Sequence, residues 1–450
     1  MPFWPIPAQS INIRNRFKRR FSAFDFEGAH VDEGNRIPRN ETSPWANVPP
    51  DILCYICDQA FSETSVHYGV EMLALVCKNW YQTVTGYGRP WSVIRIAPYS
   101  CKSTVYTTTK SYVNTRLKHS HHYPLHVIIH PVLPDQLGGP NFLQRDIRKS
   151  IDAIIGEGLH ARRWESLDAM SHPYVLARLK YPTPILHRVV ISGVGRYGWN
   201  LEGLFPVAPK LRVLSLRGSN GIYYLRLPAS PSVTVDNLQL EGFDLYTCVS
   251  ILERFSKTQQ LTTLELIGTW SHEPHRGPIT LPTVRSLTLN AQGPICVIFS
   301  AIILPSLVQL IVIGSQKADE RKVMIDDNYA FTSIESKLET LHLESLHFYS
   351  EHDLESILVA APKVKRLTMK DVTYEPYDDE DPMMLEDTTA KDPSWTLGRW
   401  ITGWQAPGRS SEPEYMKLLK NPLVFPVLGR CIVDDIDRED LVLRRKREIG

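Results

Sequence analysis

APKLRVLSLRG, residues 208–218, carries leucines at 211, 214 and 216 in the spacing L-x-x-L-x-L. Successive side chains of a strand point to opposite faces, so Leu214 and Leu216 share one face and the residues between them the other. Pro209 steers its predecessor away from helix and leads the chain into extended backbone. The same spacing recurs on both sides of this copy. LTTLEL (Leu261, Leu264, Leu266) and LETLHL (Leu338, Leu341, Leu343) repeat it in full. LHRVVI (Leu186, Val189, Ile191), VDNLQL (Val235, Leu238, Leu240), VRSLTL (Val284, Leu287, Leu289), LVQLIV (Leu307, Leu310, Val312) and VKRLTM (Val364, Leu367, Met369) keep it with substitutions. WESLDA (Trp164, Leu167, Ala169) is fainter. The central positions 189, 214, 238, 264, 287, 310, 341 and 367 are spaced by 25, 24, 26, 23, 23, 31 and 26 residues.

Leucine-rich repeats have periods of about 20–29 residues. Helical spacing of apolar residues in DLYTCVSILERFSKT (Asp244 to Thr258) and DLESILVAA (Asp353 to Ala361) supplies the return leg of a repeat. The expected fold class is therefore α/β: an irregular leucine-rich-repeat solenoid over residues 161–373, a curved parallel sheet with outer helices. Irregularity is expected because Phe243, Thr269, Gln292 and Leu346 stand where such repeats usually place asparagine.

Side chains alternating with the leucines are expected on the concave sheet face. They include Arg188, Arg217, Gln239, Glu241, Glu265, Asn290, His342, Glu344, Arg366 and Lys370, with Ile267, Ile311 and Ile313 as an apolar strip. A mixed face of this kind suits a protein or peptide ligand. The candidate target-binding residues are Arg217, Glu265, Ile267, Ile311, Ile313, His342 and Arg366; the competing reading is an ordinary solvated surface.

Residues 44–97 have a different texture. Pro49 and Pro50 can open a helix, since first-turn amides have no intrahelical acceptor to lose, and Asp51 favours the positive end of the dipole. Ile52, Leu53, Ile56, Cys57 and Ala60 form one helical stripe; Leu73, Val76, Cys77, Trp80 and Val84 form a second. Residues 1–43 are expected to be a mostly disordered basic arm, with Arg14, Arg16, Lys18, Arg19 and Arg20 interleaved with Phe17 and Phe21. Residues 98–160 read as a linking region. Residues 374–450 combine an acidic loop at Asp378 to Asp381, a capping segment with Trp395, Trp400 and Trp404, and a charged tail ending in RRKR.

The 450 residues contain 50 Lys and Arg against 49 Asp and Glu, a balance that gives no reason to expect nucleic acid or a membrane surface as partner. The longest apolar run, PICVIFSAIILP (Pro294 to Pro305), falls short of the ~20 residues a membrane helix needs and reads as a buried repeat segment. Seven cysteines without a secretory signal imply reduced thiols, hence cytoplasm or nucleus. Gly193, Gly195 and Gly198 match G-x-G-x-x-G, but Pro206 and Pro209 interrupt the helix a dinucleotide fold requires. A repeat turn accounts for them better. Cys54 and Cys57 fall within a helical stripe, without a second ligand pair. His119, His121, His122, His126 and His130 crowd one segment without close carboxylates or cysteines. The expectation is no cofactor, no metal, no catalytic residue, and a chain that is not an enzyme.

VPPDILCYICDQAF and LALVCKNWYQTVTGYGRPWSVIRI, within Val48 to Ile96, resemble the F-box family. The resemblance rests on Val48, Pro49, Asp51, Ile52, Leu53 and Ile56, then Val76, Cys77, Lys78 and Trp80, then Pro90 and Trp91. It implies a three-helix module that docks on the Skp-family adaptor of a cullin–RING (SCF-type) ubiquitin ligase, with the repeats recruiting a protein substrate. The docking residues so implied are Val48, Pro49, Ile52, Leu53, Ile56, Val76 and Trp80. The alternative is a repeat scaffold for protein interactions whose helices pack internally and which has no ligase role.

Overall fold

The structure, a computed structural model, describes residues 48–61, 69–74, 76–101, 104–107, 109–130, 145–194, 204–218, 235–257, 260–270, 277–292, 296–314, 322–323, 337–348, 354, 357–359, 361–374, 395–396, 428, 430–433 and 436–437. The basic arm, the acidic loop, Trp400, Trp404 and the RRKR tail lie outside them.

The chain is α/β, and its dominant element is one 13-stranded sheet in which strand follows strand in chain order. Numbered along this sheet, the strands are β1 (Val93–Ile96), β2 (Leu125–Ile129), β3 (Trp164–Met170), β4 (Arg188–Val194), β5 (Val213–Gly218), β6 (Asn237–Glu241) and β7 (Thr263–Thr269). β8 (Ser286–Gln292), β9 (Gln309–Ile313), β10 (Thr340–Glu344), β11 (Arg366–Lys370), β12 (Arg430–Val433) and β13 (Ile436–Asp437) complete it. Neighbours from β1 to β12 pair in parallel; β12 and β13 close the far end as an antiparallel hairpin.

The repeat spacing translates into register. Ile94, Val127, Leu167, Val189, Leu214, Leu238, Leu264, Leu287, Leu310, Leu341, Leu367 and Cys431 stand opposite one another, strand by strand. All are buried. A one-residue slip would turn every one of these side chains away from the core, so the leucines themselves specify the pairing. The array extends beyond residues 161–373 in both directions. The alternation of His126, Ile128 and His130 around Val127 and Ile129 marks a strand at β2, but VIRI and LHVII lack the leucine signature that would have joined β1 and β2 to the repeats.

The apolar run at 294–305 forms a helix, Cys296–Ala301, and a short strand, Ile302–Ile303, with Ile298, Phe299 and Ile302 buried. The segment Leu245–Ser256 is helical as its spacing predicts; the Asp244 carboxylate caps it by accepting from the Thr247 amide at 2.7 Å. Gly193 has φ of 73° where the β4–β5 register shifts between Ser192 and Val194, a strand irregularity that suits glycine. Gly195 and Gly198 lie outside the described residues.

Among the described residues ahead of β1 stand three helices, α1 (Pro50–Phe61), α2 (Gly69–Ala74) and α3 (Lys78–Gly86), and a 3-10 turn, Arg89–Ser92. The second predicted stripe is split between α2 and α3 by a turn at Val76 and Cys77. Leu53, Cys57, Val70, Ala74, Trp80, Val84 and Trp91 form a core of their own, separate from the core under the sheet. Trp91 Nε1 donates to the Val84 carbonyl at 2.7 Å, and the Tyr87 hydroxyl donates to Asp58 at 2.8 Å, tying the end of the module back to α3 and α1.

A buried arginine ties this module to the elements beyond it. Arg116, on α4 (Lys110–His119), is 4% exposed. Its Nε and Nη2 donate to the two Glu71 carboxylate oxygens on α2 at 2.9 and 2.8 Å. Its Nη1 donates to the carbonyls of Val93 at 2.6 Å and Pro90 at 3.3 Å. The guanidinium also lies near the Trp91 and Tyr112 rings, at 5.9 and 5.1 Å. A planar, permanently charged fork suits this bidentate and stacked role in a way a lysine ammonium does not.

Candidate interaction surfaces

Two surfaces emerge, one on the helical module and one on the sheet. On the module, helical geometry divides the predicted docking residues. Leu53 is fully buried and Trp80 is 6% exposed, both within the module's core. That corrects their assignment to a docking face: one turn of α1 places Leu53 and Cys57 inward and Ile52 and Tyr55 outward. Ile52 is 49% exposed, Tyr55 64% and Val76 50%, while Pro49 is exposed and Val48 and Ile56 are half-buried.

Asn79 Nδ2 donates to the Val48 carbonyl at 3.5 Å, which brings the start of α1 against the first turn of α3, just beyond Val76. The sequence reading missed Tyr55 and Tyr81, both exposed. Tyr55 stands three residues after Ile52, so the helical period could have found it.

Cys54 and Cys57 lie along α1 as packing residues. Burial, with the Asp58 charge behind it, raises the Cys54 thiol pKa. Burial pushes the Cys57 thiol up to about 11. The five crowded histidines separate in space. The His119 ring packs on Trp91 with centroids 4.8 Å apart, and His122 stacks on Tyr123 at 5.3 Å. His126 and His130 project from one face of β2. His126 Nδ1 lies 2.8 Å from Ser166 Oγ and its Nε2 3.5 Å from Glu165, while His130 Nε2 lies 2.9 Å from Asp168. Burial lowers the His126 pKa, opposed by Glu165 and assisted by His187 and Arg89. Among the described residues no three His, Cys, Asp or Glu side chains form a group able to hold a metal ion, and no helix is long and apolar enough to cross a membrane.

On the sheet, every predicted target-binding residue falls on the face opposite the leucine core. Register sorts them into rows. Gln239, Glu265, Thr288, Ile311, His342 and Thr368 form one row. Arg217, Glu241, Ile267, Asn290, Ile313, Glu344 and Lys370 form the next. Ile267 and Ile313 thus flank Asn290 from the strands on either side of it, and Ile311 shares a strand with Ile313. Arg217 is paired with Glu241 at 2.9 Å; Glu344 is shared by His342 at 3.1 Å and Lys370 at 3.7 Å. Arg366 is exposed, at the row nearest the incoming turns. On β4 and β5 Val190 and Ser215 of this face are buried while Arg188 and Arg217 are exposed; from β6 to β10 its described residues are half-buried.

Compared with known proteins, the chain matches no family model and no curated protein sequence.

Proposed function

We propose that this chain is a substrate-recognition adaptor of a cullin–RING ubiquitin ligase. In this reading the helices are an F-box-like module that docks on the Skp-family adaptor, and the sheet belongs to an irregular leucine-rich-repeat solenoid that binds the protein to be ubiquitinated. The chain works in cytoplasm or nucleus and has no active site of its own.

The observation that carries the reading is the division within the module. It keeps a private core around Leu53, Cys57, Trp80 and Val84, yet leaves Ile52, Tyr55 and Val76 exposed. A helix face that is apolar and unneeded for internal packing suits insertion into a partner's groove. The docking set that follows is Pro49, Ile52, Tyr55, Ile56 and Val76, with Val48 at its margin. Arg116 supports the second half of the reading, since it fixes the module against the sheet and so holds two binding surfaces in one orientation.

The test is capture of the purified full chain by a recombinant Skp-family adaptor, beside an Ile52→Asp/Val76→Asp variant. Both substitutions fall on exposed positions, so the variant keeps its fold. Stoichiometric capture lost in the variant supports the proposal. Failure of the folded native chain to be captured removes it and leaves a leucine-rich-repeat interaction scaffold without a ligase role.

A further inference from the structure

We infer that the open sheet face takes a target segment in which a lysine or arginine stands beside aliphatic or aromatic residues. The inference rests on the target-binding role proposed above and names the chemistry of that same face.

The relevant residues form a rectangle three strands wide and two rows deep. One row runs Glu265, Thr288, Ile311 across β7, β8 and β9; the other runs Ile267, Asn290, Ile313. Neighbouring strands lie about 4.8 Å apart, and same-face residues along a strand about 7 Å apart, so the rectangle measures roughly 10 by 7 Å. Three of its corners are isoleucine and the fourth is a carboxylate. Thr288 and Asn290 form its middle, a hydroxyl and an amide able to meet the peptide groups of a ligand.

Charge decides the occupant. The other carboxylates on this face are engaged: Asp168 with His130, Glu241 with Arg217, Glu344 with Lys370 and His342. Glu265 has no ion pair and no hydrogen bond among the described residues, and its neighbours in the row are the neutral Gln239 and Thr288. A half-buried carboxylate beside three isoleucines is left wanting a cation, and a charge-assisted hydrogen bond is the strong way to supply one. The apolar corners are too far apart for a single small group. They match side chains set two residues apart on an extended segment, whose spacing is also about 7 Å.

The test is selection from a displayed random-peptide library on the immobilised full chain, with Glu265→Lys and Glu265→Gln in parallel. The native chain is expected to enrich Lys or Arg next to apolar residues. Glu265→Lys is expected to invert that preference to Asp or Glu, and Glu265→Gln to weaken native-selected peptides by about tenfold without inversion. Absence of basic enrichment, or the same consensus from Glu265→Lys, overturns the inference. Capture by the Skp-family adaptor is scored on the same preparations. Loss of peptide selectivity with capture intact rejects this inference alone; selectivity without capture rejects the ligase reading alone.

Discussion

Arg116→Met removes the fork that joins module to sheet while keeping most of the side chain's apolar stem. Four hydrogen bonds go with it, two to Glu71 and two to the carbonyls of Val93 and Pro90. Breaking a buried pair by deleting one partner costs about 3–5 kcal/mol, because the remaining charge stays desolvated. Glu71 fits that case, its side chain being only 18% exposed. The module has its own core, so the loss should surface as local opening before global unfolding. Hydrogen exchange over residues 70–96 reads it directly. At 1.4 kcal/mol per decade, a loss of 3 kcal/mol is a rise in exchange of about 150-fold. Adding Glu71→Gln to Arg116→Met should recover part of the loss by removing the orphaned charge. A change below about fivefold in the single variant would show that the junction does not depend on this pair.

Leu264→Ala, in the central ladder, should destabilise the sheet by about 2–5 kcal/mol in urea unfolding, as expected of a fully buried leucine. Gly242→Ala should cost about 1–3 kcal/mol in the same assay: φ is 75° there, and a Cβ would sit 2.6 Å from the Gly218 carbonyl oxygen. Burial lowers the pKa values of His119, His126 and His160, so the unfolded chain binds more protons below its own histidine range near ~6.5. The urea midpoint should therefore hold steady above that range and fall as the pH drops through and below it. His126→Gln should make the fall shallower. Native-state thiol labelling at mildly alkaline pH should spare Cys57 and Cys248, both buried with raised pKa, and modify them only after denaturation.

The parallel sheet was legible because one physical constraint recurs. Each L-x-x-L-x-L copy must send its leucines inward at the same height as its neighbours, so spacing in sequence became register in space from Val189 to Leu367. The ends were less legible. β1 and β2 use isoleucine, valine and histidine in short strands, a pattern that any half-buried strand can show. On the module, apolar residue types marked the helices but could not divide inside from outside: Leu53 and Ile52 are chemically alike and adjacent, and only helix packing sends one inward. Arg116 left no trace at all. It sits on a helix of weak periodicity and finds Glu71 45 residues earlier, a pairing that spacing cannot express.

In the proposed function the two surfaces have separate tasks, the module meeting the ligase and the sheet meeting the target. Calorimetric titration of the Skp-family adaptor into the native chain, Ile52→Asp and Glu265→Lys tests it most directly. Equimolar binding that survives Glu265→Lys and disappears in a folded Ile52→Asp is the expected result. No binding by the native chain, or equal loss in both variants, would contradict it.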